Sequence, residues 1–144
     1  MLVRDVLRAK GHRIITIDCE ATVGEAVARL VQNNIGSLPV VDGDNRLVGI
    51  FSERDVLRVI HNRGEGFGRL PIREVMTRDP VTCGLDEDVE DIMGLMSDRR
   101  IAKVPVTRDD ELIGIVSVGD VIKAVHENLQ HENHQLMSYI HGTA

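Results

Sequence analysis

Two copies of a Ser-x-x-Asp motif are the residues in this sequence whose types and spacing best suit ligand chemistry. Ser52 and Asp55 form the first copy, and Ser117 and Asp120 form the second. An aspartate accepts hydrogen bonds, and a serine at the start of a helix adds a hydroxyl to N–H groups that favour an anion. The motif is also close to a capping box, which stabilises a helix by about 1 kcal/mol without any ligand. Both interpretations stay open.

Other patterns give no support for catalysis. The sequence has no Ser/His/Asp or Cys/His constellation on recognisable turns. Gly64, Gly66 and Gly68 are spaced two apart, but no strand precedes them, so the dinucleotide-binding fingerprint fails. We therefore expect a protein that is not an enzyme and has no catalytic cofactor.

The cysteines and histidines of the sequence could serve a sensor of metal or redox state. We expect neither a metal site nor a redox site. Cys19 and Cys83 form neither a disulfide framework nor a metal knuckle, and are interpreted as reduced structural thiols. The C-terminal tail carries His126, His131, His134 and His141. Zinc needs further convergent ligands, so we expect a solvated polar helix or part of a dimer contact and no metal site.

The sequence contains two similar copies of one segment. Thr16 matches Thr82 and Pro39 matches Pro105, each pair 66 positions apart. One residue is then lost in a turn, so Gly49 matches Gly114 at a distance of 65 positions. This register extends over most of the chain and indicates an internal duplication.

Each copy predicts the order strand, helix, strand, strand, helix. In the first copy we expect strands at 14–17, 37–41 and 46–51, and a second helix from about 53 to 62. Thr22 and Glu25 form a capping box before the first helix. In the second copy the last helix runs on from Val118 through His126 towards Tyr139.

The sequence predicts an α+β fold of two small repeats. The boundaries we expect are 1–62 for the first repeat, 63–71 for a glycine-rich linker, 72–128 for the second repeat, and 129–144 for a helical tail. One repeat is too small to bury both faces of its sheet, so the two should pack about a pseudo-two-fold axis with a cleft on it.

These motifs resemble the CBS domain. The stretch Gly-apolar-apolar-Ser-x-x-Asp-apolar at 49–56 and 114–121 looks like the end of such a domain, and 35–41 and 101–106 look like the segment before it. Glu74-Val75-Met76-Thr77 resembles the opening of a repeat. The resemblance covers the chain apart from its tail, and we expect no attached enzyme or transporter domain.

The resemblance implies a paired regulatory module whose clefts bind AMP, ATP, NAD(H) or S-adenosylmethionine. It also implies a homodimer and an unknown regulated protein partner. Asp55 and Asp120 would each bind the two vicinal hydroxyls of a ribose, and the serines would lie near phosphate.

By the same resemblance, each site combines one Ser-x-x-Asp with residues of the other repeat. The first site would comprise Ser52, Arg54, Asp55, Thr77, Val81, Ile101 and Lys103. The second would comprise Ile15, Ile35, Ser37, Ser117, Gly119 and Asp120. Gly119 replaces Arg54 and Ser37 replaces Lys103, so only the first site has two cations for a phosphate. We expect the Asp55 site to bind a charged nucleotide more tightly.

Composition limits the remaining classes of function. The formal net charge is −6 and aromatic residues are 2% of the chain, so we expect no nucleic-acid partner. No apolar run approaches the roughly 20 residues of a membrane span, and no secretory signal is apparent, so we expect a cytoplasmic protein. The leading hypothesis is a module sensing energy or redox state through a nucleotide. The alternatives are an interaction module without a physiological nucleotide and, more weakly, a redox or metal sensor.

Overall fold

The computed structural model describes residues 1–11 and 13–140, and His141 lies outside them. Five α-helices and six strands occur in this part of the chain. The helices are α1 Val3–Lys10, α2 Val23–Asn33, α3 Glu53–Arg63, α4 Val89–Arg99 and α5 Val118–Ile140. The strands are β1 Ile17–Asp18, β2 Ser37–Val41, β3 Leu47–Ser52, β4 Thr77–Arg78, β5 Lys103–Arg108 and β6 Glu111–Ser117. The predicted mixed fold of tandem repeats is confirmed.

The described residues divide into two compact units that exchange segments. The Asp55 unit comprises 13–82 and 107–113, and the Asp120 unit comprises 1–11, 83–106 and 114–140. The N-terminal helix α1 therefore belongs with the second Ser-x-x-Asp motif rather than with the first. The predicted boundaries, after residues 62, 71 and 128, divide the chain into consecutive segments and do not describe these two units. They stay a prediction.

A four-stranded sheet in the order β1-β2-β3-β4 forms the framework of the Asp55 unit. β1 runs parallel to β2, and β3 is antiparallel to both β2 and β4. The first strand was predicted at 14–17, but the paired strand is Ile17–Asp18, because its ladder with β2 consists of Ile17 opposite Val40 and Asp18 opposite Val41. The sheet brings β4, which follows the linker, against β3.

Helix α2 begins as the sequence predicted. Thr22 Oγ1 accepts a hydrogen bond of 3.2 Å from the Glu25 N–H, and Glu25 Oε2 accepts one of 2.9 Å from the Thr22 N–H. The helix packs its apolar face on the sheet. The resulting core consists of Ile17, Val23, Ala26, Leu30, Leu38, Val40, Phe51 and Ile72.

The glycine-rich linker contains local structure that its composition did not predict. Short 3₁₀ turns occur within it at Phe67–Arg69 and directly after it at Ile72–Glu74. Hydrogen bonds of 2.9 Å from the Val23 N–H to the Leu70 carbonyl and 2.8 Å from the Ile72 N–H to the Ala21 carbonyl fix it beside α2. The linker thereby delivers β4 to the edge of the sheet.

The second repeat follows this plan with fewer paired strand residues. Cys83 and Val106 form a single parallel bridge where the first repeat has β1 against β2. The first strand of the second copy is therefore reduced to this bridge. β5 and β6 pair in a two-stranded sheet, and their turn places Asp109 and Asp110 at positive φ. Helix α5 continues for 23 residues from Val118, as its sequence predicted.

Candidate functional site

The first Ser-x-x-Asp motif forms a capping box at the N-terminus of α3. Ser52 has extended backbone angles, φ −120° and ψ 168°, and ends β3 where the helix begins. Its Oγ accepts a hydrogen bond of 3.3 Å from the Asp55 N–H. In return, Asp55 Oδ2 accepts hydrogen bonds from the Ser52 N–H at 2.9 Å and the Ser52 hydroxyl at 3.1 Å. The capping interpretation is therefore correct for the geometry of this motif.

Asp55 is buried more deeply than capping requires. It is 4% exposed, and it is the one charged residue found buried within the described part of the chain. Glu25 occupies the same capping position in α2 and is exposed. A buried carboxylate is costly unless hydrogen bonds and cations compensate it. The burial of Asp55 therefore points to a role beyond that of a helix cap.

Two residues outside the capping box complete the surroundings of Asp55. Thr77 Oγ1 donates a hydrogen bond of 3.1 Å to Asp55 Oδ1. The guanidinium of Arg58, one turn along α3, lies 3.6 Å from the same oxygen. The Arg58 side chain is 63% exposed, so this pair retains access to solvent. The carboxylate thus has one hydroxyl partner and one cationic partner that a ligand can replace.

A close approach of two strands holds Thr77 beside Asp55. β4 pairs with β3 so that Thr77 lies opposite Ile50 and Arg78 lies opposite Gly49. A Cβ atom on residue 49 would lie 2.6 Å from Met76 Sδ and 2.8 Å from the Thr77 carbonyl oxygen. Glycine at position 49 is therefore what allows this edge to come so near.

A cavity of about 400 Å³ opens next to this carboxylate within the Asp55 unit. Its volume falls in the range typical of small-molecule sites. The lining residues come from α3 and from the segment leading into β4: Asp55, Arg58, Val59, Asn62, Arg63, Glu74, Val75, Met76 and Thr77. The cavity therefore offers carboxylates, two guanidinium groups, an amide and an apolar wall.

The structure brings together three of the residues predicted for the first site, Ser52, Asp55 and Thr77. Arg54 lies on the exposed face of α3. The three others, Val81, Ile101 and Lys103, are half-buried, and the last two belong to the Asp120 unit. Their membership of the site, like that of Arg54, stays a prediction.

The second Ser-x-x-Asp motif also caps its helix. Asp120 Oδ2 accepts a hydrogen bond of 2.8 Å from the Ser117 N–H, and Ser117 Oγ accepts one of 3.1 Å from the Asp120 N–H. The remaining residues predicted for the second site, Ile15, Ile35 and Ser37, are half-buried in the Asp55 unit. Their ligand-binding roles are predictions still.

Asp120 has a closer and less exposed cationic partner than Asp55 has in Arg58. Lys10 Nζ lies 2.6 Å from Asp120 Oδ2 and donates a second hydrogen bond of 2.8 Å to the Ile115 carbonyl. Burial raises the pKa of the Asp120 carboxyl, but the hydrogen bonds from Lys10 and Ser117 and the charge of Lys10 outweigh burial and lower it. Asp120 is therefore held ionised in an ion pair.

Sequence reasoning missed both Arg58 and Lys10. Arg58 is three positions after Asp55 on one helix, a spacing that brings side chains together. The signal for Lys10 is weaker and comes from the helix that carries it. The segment 3–7, Val-Arg-Asp-Val-Leu, matches 72–76, Ile-Arg-Glu-Val-Met, at a distance of 69 positions, which differs from the spacing of the main repeat. That match indicates that α1 occupies, in the second repeat, the place of the segment before Thr77.

The thiols and histidines do not form a site in the described residues. Cys19 is half-buried and Cys83 is buried, and burial raises the pKa of the Cys83 thiol to about 12. No cluster of three or more His, Cys, Asp or Glu side chains suited to a metal occurs within 1–11 and 13–140. None of the helices in these ranges combines the length and apolar character of a membrane span.

The family model for the CBS domain matches residues 3–62 and 72–127. These two matches cover most of the chain and coincide with the two copies of the repeat. The chain therefore belongs to the CBS-domain family and carries the domain in tandem. Its resemblance to this family is confirmed.

Particular relatives agree with this assignment. The chain is 35% identical over 148 residues to the mitochondrial CBS domain-containing protein CBSX3 of Arabidopsis thaliana, covering 97% of this chain and 72% of that protein. It is similar to the CBS domain pair of protein MJ0100 solved with 5-methylthioadenosine and S-adenosyl-L-methionine, with TM-score 0.75, 31% identity, and coverage of 89% and 98%. It is also similar to CBSX2 solved with AMP, with TM-score 0.72, 26% identity, and coverage of 79% and 88%.

Proposed function

We propose that this chain is a non-catalytic regulatory module that binds an adenine nucleotide, with Asp55 as the carboxylate that holds the ribose. The observation that carries the proposal is the buried carboxylate of Asp55 at the wall of a cavity of about 400 Å³. The adenosyl ligands of MJ0100 and the AMP of CBSX2 support this class of ligand.

The chemistry of the cavity suits a ribose. A ribose presents two vicinal hydroxyls, and an ionised carboxylate accepts both of their hydrogen bonds. The Thr77 hydroxyl already donates to Asp55 Oδ1 at 3.1 Å and to Oδ2 at 3.4 Å. A ribose hydroxyl that replaces Thr77 exchanges one neutral donor for another, so binding does not leave the buried charge unsatisfied.

Cations along α3 suit a phosphate. Arg58 and Arg63 line the cavity, and Arg54 lies exposed on the same helix. Charge-assisted hydrogen bonds to phosphate are roughly twice as strong as neutral ones. We therefore propose that Arg58 leaves Asp55 for the phosphate when a nucleotide binds, and that Arg54 and Lys103 contribute as the sequence predicted. AMP, ATP and NAD(H) are the ligands proposed, and S-adenosylmethionine, whose tail carries no phosphate, is the alternative.

Isothermal titration calorimetry with AMP, ATP, NADH and S-adenosylmethionine tests this function. We expect at least one to bind the wild-type chain and to lose most of its affinity with Asp55→Asn. Asp98→Asn is the matched control, because Asp98 is an exposed residue of α4 and the charge change is the same. Equal binding by the two variants would remove Asp55 from the site.

The alternative is an interaction module whose clefts hold no physiological nucleotide. Exposed apolar side chains on α5 favour it, since Leu129 and Leu136 are each 58% exposed and Ile122 is 57% exposed. The homodimer and the unknown regulated partner implied by the family resemblance, and the cytoplasmic location, belong to the proposal as well. Light scattering after chromatography tests the dimer, and a mass of 16.0 kDa for the species in solution would contradict it.

A further inference from the structure

The second Ser-x-x-Asp motif already has an internal partner on its carboxylate. Lys10 Nζ lies 2.6 Å from Asp120 Oδ2, the same oxygen that accepts the Ser117 N–H at 2.8 Å. The side chains of Lys10 and Asp120 are only 30% and 23% exposed. This ion pair is therefore partly shielded from water, which strengthens it relative to a pair on the open surface.

Packing of α1 fixes the position of the Lys10 ammonium. The helix is tied to the loop before α4 by hydrogen bonds of 3.0 Å from the Val3 N–H to the Glu87 carbonyl and 3.1 Å from the Arg4 N–H to the Leu85 carbonyl. Leu7 is 1% exposed and fills the space beside Gly114, where a Cβ atom would lie 2.7 Å from Leu7 Cδ1. Lys10 is one turn further along the same helix, so its stem starts from a fixed point.

The two aspartates therefore differ in what a ribose must displace. The cation at Asp55 is Arg58, which is 63% exposed and lies 3.6 Å from Oδ1, too far for a hydrogen bond. At Asp55 the hydrogen-bond partner outside the capping box is the Thr77 hydroxyl of β4, a neutral donor of the same kind as a ribose hydroxyl. At Asp120 the partner is an ammonium, whose hydrogen bond to a carboxylate is roughly twice as strong. In the register that aligns 3–7 with 72–76, Lys10 falls on Asp79, so no lysine takes this place in the first repeat.

We propose that Lys10 is a specificity-determining residue that occupies Asp120 in place of a ribose, so that the chain binds its nucleotide at Asp55 alone. This inference rests on the proposed function of the motif. The sequence predicted that the first motif binds more tightly because Arg54 and Lys103 lie near it. The Lys10 ammonium adds a second cause, because it blocks the carboxylate of the second motif. Because the Lys10 ammonium is already bonded to a carboxylate and to the Ile115 carbonyl, it acts as a plug and not as a phosphate ligand.

Calorimetric titration with AMP, and separately with S-adenosylmethionine, tests the inference. We expect one equivalent per wild-type chain and two per chain of Lys10→Met. Lys123→Met is the matched control, since Lys123 is exposed on α5 and the charge change is identical. Lys10→Gln, which removes the charge but keeps a donor, should give a weaker gain and guards against a folding defect in Lys10→Met. Thermal unfolding checks that each variant is folded.

Combination with Asp55→Asn separates this inference from the proposed function. The double variant Lys10→Met/Asp55→Asn should bind one equivalent, whereas Asp55→Asn alone should bind none. No binding by the wild-type chain together with a gain in Lys10→Met would overturn the Asp55 site and support the plug. Unchanged or weakened binding in Lys10→Met would overturn the plug, because removal of a competitor must strengthen binding.

Discussion

The Thr77 hydroxyl donates a hydrogen bond of 3.1 Å to Oδ1 of Asp55, a residue 22 positions earlier in the chain. This contact joins the edge strand β4 to the first turn of α3. It supplies a donor to a carboxylate that is 4% exposed. The relation between these two residues links the folding of the sheet edge to the state of the candidate site.

Replacing Thr77 by valine tests what this hydrogen bond contributes. Thr77→Val keeps the shape of the side chain but removes a donor to a buried charge, so we expect the free energy of unfolding to fall by about 1–2 kcal/mol. Urea denaturation measures it. Thr82→Val is the control, because Thr82 is exposed and lies outside the elements of the sheet. Equal losses in the two variants would contradict a specific role for Thr77.

Two glycine substitutions should change stability in opposite directions. At Gly49 a Cβ atom would lie 2.8 Å from the Thr77 backbone oxygen, so Gly49→Ala should cost about 1–3 kcal/mol through overpacking. At Gly94, inside α4, a Cβ atom meets nothing within 4 Å, so Gly94→Ala should stabilise by up to about 1 kcal/mol through helix propensity. Thermal unfolding compares them. A neutral Gly49→Ala would show that β4 is free to move from β3.

The two thiols should react at very different rates. Cys83 is 3% exposed and burial raises the pKa of its thiol to about 12, so little reactive thiolate exists at pH 8. Cys19 is half-buried, and burial with the charges of Asp18 and Glu20 raises the pKa of its thiol. We expect iodoacetamide to label Cys19 first, and Cys83 only after unfolding in urea, as followed by peptide mass spectrometry. Rapid labelling of native Cys83 would revive the redox-sensor alternative.

The ion pair of Lys10 with Asp120 predicts a pH dependence with a definite sign. The pKa of Asp120 is lowered in the folded chain, so its stabilising contribution is present above the unfolded pKa of about 3.9 and is lost as pH falls through the lower folded value. The difference in unfolding free energy between wild type and Asp120→Asn should therefore be larger at pH 7 than at pH 3. Urea denaturation at both pH values measures it, and a difference that grows at pH 3 would contradict the ion pair.

The sequence predicted the features that depend on residues close together in the chain and those that the internal repeat shows in two copies. The capping boxes at Thr22 and Ser52 depend on residues three apart, so their pattern is visible in the chain itself. Duplication then predicted the order of elements in both repeats. By contrast, the first strand was misplaced because its ladder depends on how far β2 extends. The contacts of Asp55 with Thr77 and of Asp120 with Lys10 depend on which segments meet in space, and no local pattern encodes that.

The exchange of N-terminal segments shows the same limit. Sequence order assigns 1–62 to one repeat, but α1 packs in the Asp120 unit and β4 completes the sheet of the Asp55 unit. The matching segments at 3–7 and 72–76 hold the signal for this arrangement. These segments are 69 positions apart, whereas the main repeat has a spacing of 66, so an alignment of the main repeat does not bring them together.

The measurement that tests the central claim most directly is calorimetric binding of AMP, ATP, NADH and S-adenosylmethionine to the wild-type chain, to Asp55→Asn and to Asp98→Asn. Our account predicts that a ligand binds the wild type and Asp98→Asn alike and that Asp55→Asn loses this binding. At a ligand concentration of 100 Kd, the bound chain should also gain about 2.7 kcal/mol in unfolding free energy. Binding that survives Asp55→Asn unchanged, or no binding of any of the four ligands, would contradict the account.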